Sequence, residues 1–210
     1  ICDLLIKKKL IINFYFVSGT KLETIKIDQL SKFSNAGCRY ISFSPESGSS
    51  NLMNIIGKKF NYNHGIEVVK NCQKKNIRTQ ACFVIGHPQE RFVDFILSLK
   101  YMIKLTIFGL DEIAVFIISP FSGSKLSTLI ENKKEKKIFS FSPSFRKGYV
   151  KFSIYRLNMV FIFLLIKLFF KPIFFIDLFK VLFNKKEPYI KIHNLLKIFN
   201  SVTNKKNILP

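Results

Sequence analysis

Apolar runs and helical stripes alternate along the first part of the chain. Four short apolar runs, each closed by Gly, Pro or Ser, predict strands at Ile11–Val17, Tyr40–Ser44, Thr79–Ile85 and Glu112–Ile118. Three stripes of apolar residues at helical spacing lie between them: Ile27/Leu30/Phe33, Ile66/Val69/Cys72 and Phe92 to Ile103. Gly37 and Asn76 follow the first two stripes and predict left-handed helix ends.

This order of strands and helices predicts an α/β fold with parallel strands joined by crossover helices. Either a doubly wound sheet or part of a (β/α) barrel satisfies it. In both folds ligands lie at the carboxyl ends of the strands. Functional residues are therefore expected in the segments that follow the strands: 18–20, 45–50, 86–90 and 119–123.

The last third of the chain has a different pattern. Two apolar, Phe-rich stretches, Leu157–Ile166 and Ile173–Phe183, lie on either side of Pro172. They predict two basic amphipathic helices within 157–183, because proline does not continue a helix.

Three interpretations of these helices stay open. They can cover one end of a barrel, lie as an anchor in a membrane interface, or span a membrane. A spanning helix needs about 20 apolar residues with few charges, and Lys167 and Lys171 interrupt the run. The sequence therefore favours a cover or an interfacial anchor.

Charge supports a division of the chain near residue 126. Residues 1–125 carry 17 basic and 9 acidic side chains, whereas residues 126–210 carry 17 and 4. The predicted organisation is an α/β domain over 1–126, a basic linker over 127–150, a Phe-rich helical region over 151–200 and a tail over 201–210.

The total charge of +21 does not by itself indicate a nucleic-acid partner. Ile, Lys, Phe and Asn together fill 97 of the 210 positions, a bias typical of AT-rich coding. Because such coding favours Lys whatever the protein does, nucleic acid is not expected as a partner.

Cysteine and histidine are scattered. Cys2, Cys38, Cys72 and Cys82 show no close pair of the kind that places two thiolates on one metal. The sequence therefore predicts no metal ligands in this chain, and four reduced, mostly buried thiols of a cytoplasmic protein.

Two post-strand segments carry candidate chemistry. Pro45–Ser49 offers a carboxylate, two hydroxyls and a glycine, which can hydrogen-bond a ribose or an amino group. Gly86–Glu90 offers a glycine for close backbone approach and a carboxylate for a helix start. For both segments the alternative is an ordinary turn, with a serine capping the next helix in the first case.

Four segments taken in order are more specific than any one alone. They are AGCRYISFSPESGS (36–49), IIGKK (55–59), FVIGHPQE (83–90) and DEIAVFIISPFSGSKL (111–126). Over residues 1–126 this set resembles the radical SAM superfamily, most closely the branch that often carries a cobalamin-binding domain. The resemblance implies the C-terminal half of a partial (β/α)6 barrel, TIM-like in architecture.

The resemblance also implies chemistry and cofactors. In the family a [4Fe–4S] cluster cleaves S-adenosylmethionine (SAM) to a 5′-deoxyadenosyl radical, which serves methylation, rearrangement or related reactions. SAM and the cluster would thus be cofactors, with cobalamin as a third. The implied partners are a small-molecule or lipid-like substrate and an electron donor such as flavodoxin or ferredoxin.

Eight positions match the family's SAM-binding segments. The resemblance implies that Glu46 binds polar groups of SAM and that Lys58 pairs with the SAM carboxylate. It also implies that Ser47 and Ser49 lie beside the ribose. The positions implied on the adenine side are Gly86, Pro88, Ile117 and Ile118. Glu90 is given a structural role, and no catalytic residue is assigned.

The family's cluster motif, C-x3-C-x2-C, does not occur in these residues, and the chain begins at Ile1. The expectation is a fragment of a longer radical SAM enzyme, inactive alone. The alternative is a non-catalytic protein at a membrane surface, in which a degenerate barrel supports the Phe-rich helices. Either protein is expected in the cytoplasm, with peripheral membrane association through 157–183.

Overall fold

The computed structural model describes residues 1–10, 12–119, 124, 126 and 148–172. The strands are β1 (Phe14–Thr20), β2 (Cys38–Glu46), β3 (Arg78–Ile85) and β4 (Glu112–Ile117). The helices are α1 (Cys2–Lys7), α2 (Leu30–Asn35), α3 (Ser50–Ile55), α4 (Tyr62–Lys74), α5 (Phe92–Ile107) and α6 (Tyr149–Phe170). Two short 3-10 turns, Leu22–Thr24 and Ile27–Gln29, lie between β1 and α2.

The four strands form one parallel sheet in the order β1-β2-β3-β4. Each strand pairs with the next along the chain, and a helical segment separates them. A doubly wound sheet reverses its strand order at a switch point, and these four strands show no reversal. The arrangement is compatible with part of a TIM-like (β/α) barrel.

The apolar core lies on one face of the sheet. Alternate strand residues such as Ile41, Phe43 and Phe83 are almost completely buried there. They pack with the apolar faces of α4 and α5, which contribute Val69 and Met102. The sequence pattern predicts this, because crossover helices must cover the sheet they connect.

Several predicted boundaries shift in the structure. The first strand covers Phe14–Thr20 rather than Ile11–Val17, so Ser18 to Thr20 belong to the strand. The second runs through Pro45, which was expected to end it. Proline is tolerated there because the register of β2 against β3 breaks between Phe43 and Glu46, outside the regular ladder.

Helix α6 begins eight residues earlier than the Leu157 start expected from sequence. Tyr155 stacks on Phe95 of α5 with ring centroids 4.3 Å apart, which fixes this additional N-terminal part. The helix ends before Pro172, as predicted. Ile173–Phe183, most of the linker 127–150 and the tail 201–210 lie outside the described residues.

By length and composition, α6 could cross a membrane, and it is the one such helix among the residues that the structure describes. The sequence favours other roles because of its lysines. The packing of its inner residues, Met159 and Phe163, into the core argues against a span, because a spanning helix would have to leave those contacts.

Candidate functional site

The carboxyl edge of the sheet brings the predicted site segments together. Glu46 ends β2, Gly86 follows β3, and Ile117 ends β4. Since the strands are parallel and adjacent, all three positions lie along one edge. This is the edge where α/β folds bind ligands.

Glu46 combines an unusual backbone with an ion pair. Its φ is +60°, a left-handed conformation that costs a non-glycine residue about 1–2 kcal/mol. Its Oε1 lies 2.5 Å from Nζ of Lys58, which is 12 residues further along the chain. The Glu46 side chain is 16% exposed and that of Lys58 is 55% exposed. Strain of this kind often marks a functional position, and the pair offers both signs of charge to a ligand.

Ser47 and Ser49 turn away from solvent. The Ser47 hydroxyl lies 2.9 Å from that of Ser98, and Ser49 Oγ donates to Asp94 Oδ1 over 2.6 Å. Ser49 Oγ also accepts from the Leu52 amide at 3.2 Å, and so caps α3. Both hydroxyls therefore hold the loop in place, and their placement beside a ribose stays a prediction.

The loop Ser47–Ser49 is fixed from α4 as well as from α5. The Tyr62 hydroxyl donates to the carbonyl oxygen of Ser47 at 3.1 Å, and that of Tyr101 donates to the Tyr62 carbonyl at 3.1 Å. Burial raises the pKa of Tyr62 to about 12, so its hydroxyl stays a donor at neutral pH. These bonds position Glu46 through the residues that follow it.

An open groove of about 580 Å³ lies in the region after Lys58. Its lining residues come from the start of α4 and from the turn after β1: Glu23, Lys59, Phe60, Asn61, Tyr62 and Asn63. One of its lining residues, Lys59, directly follows Lys58 in the sequence.

The Gly86–Glu90 segment forms a tight turn after β3. The Gly86 amide donates to the Glu90 carboxylate, and the Glu90 amide donates back to the His87 carbonyl at 2.9 Å. Gly86 is buried and Pro88 is exposed at the turn. Glu90 thus makes the structural contact expected of it, while the adenine-side role of Gly86 and Pro88 stays a prediction.

Gly86→Val is expected to lower the free energy of unfolding by about 2 kcal/mol or more. Gly86 has a φ of +86°, which a β-branched residue adopts only with strain. Urea unfolding of the chain measures the change. Gly86→Asn should lower the free energy of unfolding by less, because asparagine tolerates a left-handed backbone. Equal stability of Gly86→Val and the parent chain would show that the turn imposes no such restriction.

The fourth strand ends as predicted, within one residue. Ile117 is buried, and the amide of Ile118 donates to the Ile85 carbonyl at 3.0 Å. That bond extends the β3–β4 ladder by one step. The contact of Ile117 and Ile118 with adenine is untested, and 120–123 lie outside the described residues.

Sequence reasoning missed a polar network on the sheet face opposite the helices. Gln80 Nε2 and the Tyr40 hydroxyl both donate to Glu112 Oε2, at 3.2 and 3.1 Å. Ser42 donates to Gln80 Oε1 at 3.2 Å, and Cys82 lies 3.4 Å from the Ser42 hydroxyl. Three neighbouring strands thus contribute polar groups to one face, which in a barrel is the interior.

A sequence signal for this face existed. In the middle of β2 and β3, Tyr40 and Ser42 alternate with Ile41 and Phe43, and Gln80 and Cys82 alternate with Ala81 and Phe83. A parallel strand covered on both faces is almost continuously apolar. Strict alternation in such strands therefore indicates a face turned to a polar interior.

The cysteines do not suit an iron–sulfur cluster. Cys38 and Cys72 are fully buried, and burial raises the pKa of Cys72 to about 12, which disfavours the thiolate that binds iron. Among the residues the structure describes, no three His, Cys, Asp or Glu side chains converge on a metal position. The residues present therefore do not fit the cluster that the family resemblance implies.

No protein-family model matches the chain. An uncharacterized methyltransferase of Pyrococcus horikoshii is 24% identical over 115 residues, which are 55% of this chain and 24% of that protein. Among solved structures, the radical S-adenosylmethionine methyltransferase TsrM from Kitasatospora setae, with cobalamin and a [4Fe-4S] cluster bound, aligns with a TM-score of 0.46. The identity is 12%, over 55% of this chain and 24% of TsrM.

A second structure of TsrM, with tryptophan substrate and a SAM analogue bound, gives a TM-score of 0.42 at 13% identity, over 50% of this chain and 22% of that one. The chain thus spans about a quarter of the length of the proteins to which it is similar. The similarity in sequence to the P. horikoshii protein extends over about half of this chain.

Proposed function

We propose that this chain forms the half of the barrel that binds SAM in a radical SAM methyltransferase. The observation that carries the proposal is the Glu46–Lys58 pair at the carboxyl edge, 2.5 Å apart, within segments that resemble the family's SAM-binding motifs. The similarity to a protein named as a methyltransferase supports the reaction class. An enzyme that transfers a methyl group is the coarser form of the same proposal.

The charges of the pair complement those of SAM. Free SAM carries an ammonium and a carboxylate on its methionyl part. Glu46 would accept hydrogen bonds from the ammonium or the ribose, and Lys58 would pair with the carboxylate, both as charge-assisted contacts. Since Lys58 is more than half exposed, it can move from Glu46 to a ligand without unpacking the core.

Gly86 would let the adenine side of SAM approach the backbone closely, with Pro88, Ile117 and Ile118 beside it. SAM, when bound, supplies the methyl group or, with a reduced cluster, the radical that starts the reaction. The network of Glu112, Gln80 and Ser42 would present polar groups to a substrate inside the barrel.

The cluster ligands are proposed to lie in a part of the enzyme beyond these 210 residues, as is any cobalamin domain. No catalytic step through the cluster is assigned to this chain. Flavodoxin or ferredoxin is the proposed class of electron donor, and the substrate is a small or lipid-like molecule. A reading frame that is complete from Ile1 and has no upstream C-x3-C-x2-C would overturn the radical part of the proposal.

Glu46→Gln in the full-length protein is expected to weaken SAM binding by roughly 10- to 150-fold, measured by calorimetry. Loss of a hydrogen bond to a charged group costs about 1.5–3 kcal/mol. Glutamine keeps the length of the side chain, so the left-handed turn is changed little.

Glu67→Gln is the matched control, because it removes another ion pair, Lys70–Glu67 at 2.9 Å, from an exposed helix face. SAM affinity should be unchanged there. If Glu46→Gln also binds SAM normally, Glu46 does not bind SAM and belongs to an ordinary strained turn.

One observation favours the second candidate, a protein that works at a membrane surface: α6 exposes apolar residues such as Leu157 and Phe161. SAM binding separates the two, since a non-catalytic surface protein has no reason to bind it.

A further inference from the structure

Tyr62 connects the two segments that carry the Glu46–Lys58 pair. Its hydroxyl donates to the carbonyl oxygen of Ser47 at 3.1 Å, and Ser47 directly follows Glu46 in the chain. Its backbone is the first residue of α4, four positions after Lys58. The hydrogen bond therefore joins the residue next to Glu46 to the segment that follows Lys58.

The same loop also determines where Lys58 lies. The side chain of Ser49 caps the start of α3. At the end of that helix the Lys58 amide donates to the Met53 carbonyl oxygen at 2.9 Å, and Gly57 has the left-handed conformation of a helix end. A movement of the loop Ser47–Ser49 would therefore move α3, and the Lys58 backbone with it.

Tyr62 is itself held in place by the core. Its carbonyl oxygen accepts from the hydroxyl of Tyr101, which is 7% exposed, at 3.1 Å. The Tyr62 and Tyr101 rings meet edge to face with centroids 4.9 Å apart, and the Phe60 ring lies 5.2 Å from that of Tyr62. Because two aromatic rings pack against it, the Tyr62 ring has little freedom, and its hydroxyl is a fixed point for the loop.

Helix α5 also holds the loop, through Ser98 and Asp94, but it is not continuous with the segment that carries Lys58. Loss of the Tyr62 bond would thus leave the loop attached to α5 and release its connection to α4. The fold would remain, and the geometry of the ion pair would change. Positioning and folding can therefore be separated by experiment.

We propose that Tyr62 is a positioning residue of the SAM site, whose hydroxyl sets the relative placement of Glu46 and Lys58. The inference rests on the proposed function, in which these two residues bind polar groups of SAM. The Tyr62 hydroxyl is engaged by Ser47, so it acts through the loop and α3 rather than on SAM. Because hydrogen bonds weaken steeply with poor distance and angle, a small displacement of the pair weakens both contacts with SAM.

Tyr62→Phe in the full-length protein is the test, because it removes the hydroxyl and keeps the ring that Phe60 and Tyr101 contact. SAM affinity, measured by calorimetry, is expected to fall roughly 3- to 10-fold, which corresponds to the loss of one neutral hydrogen bond. In a protein that already carries Lys58→Gln, the same change should lower affinity by less than about twofold, because the two substitutions then act on one contact. A purely structural role would give equal factors in both backgrounds.

Thr106→Val is the matched control. It also removes a buried hydroxyl, which donates to the Met102 carbonyl oxygen at 2.8 Å in the last turn of α5. Asp94, which contacts the loop, lies in the first turn of the same helix, so the two positions are about 18 Å apart. Thr106→Val should leave SAM affinity unchanged while it lowers the midpoint of urea unfolding about as much as Tyr62→Phe does.

Three results would overturn the inference. They are a SAM affinity of Tyr62→Phe equal to that of the parent protein, an equal loss with and without Lys58→Gln, and an equal loss in Thr106→Val. Failure of the proposed function gives a different pattern, because the parent protein then does not bind SAM, or Glu46→Gln binds it as the parent does. Normal binding by Tyr62→Phe together with weakened binding by Glu46→Gln rejects this inference alone.

Discussion

Gly48→Ala is expected to destabilise the protein by about 3 kcal/mol or more. A Cβ at this position would lie 2.3 Å from the Leu97 carbonyl oxygen and 2.6 Å from Ser98 Cα, both backbone atoms of α5. Backbone cannot move aside as a flexible side chain does, so the loop itself must lift from the helix. Overpacking normally costs about 1–3 kcal/mol, and a forced backbone shift lies at the upper end.

The same shift would break specific bonds. The Gly48 amide donates to the Ser98 hydroxyl at 2.9 Å, and Ser47 lies against the same hydroxyl. We therefore expect the position of Glu46, which directly precedes this loop, to be disturbed together with stability. The midpoint of urea unfolding, at unchanged slope, reports the loss.

Gly57→Ala is the matched control for the backbone. Gly57 has a φ of +72°, but a Cβ added there would meet no atom within 4 Å, so alanine costs only the left-handed conformation, about 1–2 kcal/mol. If Gly48→Ala lost no more than Gly57→Ala, the close approach of the loop to α5 would be refuted.

The backbone architecture could be predicted from this sequence because its signals are local. All four strands are present, and so are the helices of the second and third stripes, whereas Ile27 of the first stripe lies in a 3-10 turn before α2. Gly37 and Asn76 have the expected left-handed conformation. Strand and helix periods, turn residues and helix ends each depend on a few neighbouring positions. Their order then restricts the topology to parallel pairing.

Boundaries and partners were less predictable because they depend on distant contacts. The start of α6 is decided by the stacking of Tyr155 on Phe95, 60 residues earlier. In the segment Pro45–Ser49, a serine was expected to lie beside a ribose or to cap the next helix. The sequence could not reveal that Ser49 also donates a hydrogen bond to Asp94. The polar sheet face required knowing that Gln80 and Glu112 are neighbours, which only the register gives.

Lys58 is an intermediate case. Sequence placed it near the SAM carboxylate through the resemblance, and the structure pairs it with Glu46. The spacing of 12 residues does not itself predict contact, since α3 must turn the chain back first. The contact depends on two features together: helix α3, which reverses the chain, and the left-handed backbone of Glu46 at the end of β2.

Asp94 connects the candidate site to the core. It lies in the first turn of α5, is fully buried, and accepts hydrogen bonds from the Ser49 hydroxyl at 2.6 Å and the Arg91 amide at 3.0 Å. The Arg91 side chain adds a contact at 3.2 Å. Its negative charge also suits the positive end of the helix dipole. One carboxylate thus orients α5, its cap and the loop that contains Glu46.

The ionisation of Asp94 couples this arrangement to pH. Burial alone would raise its pKa, but the hydrogen bonds from Arg91 and Ser49 outweigh burial and hold the pKa below its usual range. A carboxyl whose pKa is lower folded than unfolded stabilises the protein above its unfolded pKa of about 3.9. That contribution is lost as pH falls from there through the folded pKa.

Asp94→Asn is therefore expected to lower the free energy of unfolding by about 2–3 kcal/mol at pH 7, since charge-assisted bonds to a buried acceptor are lost. The difference from the parent chain should shrink steadily below about pH 4, because the carboxyl of the unfolded parent chain is then protonated and must lose that proton on folding. Urea unfolding at pH 7, 5, 4 and 3 measures both quantities. Asp3→Asn, which removes the exposed Asp3–Lys32 pair, should leave stability almost unchanged, because water screens that pair. A difference for Asp94→Asn that stays constant from pH 7 to 3 would show that the Asp94 charge does not stabilise the loop.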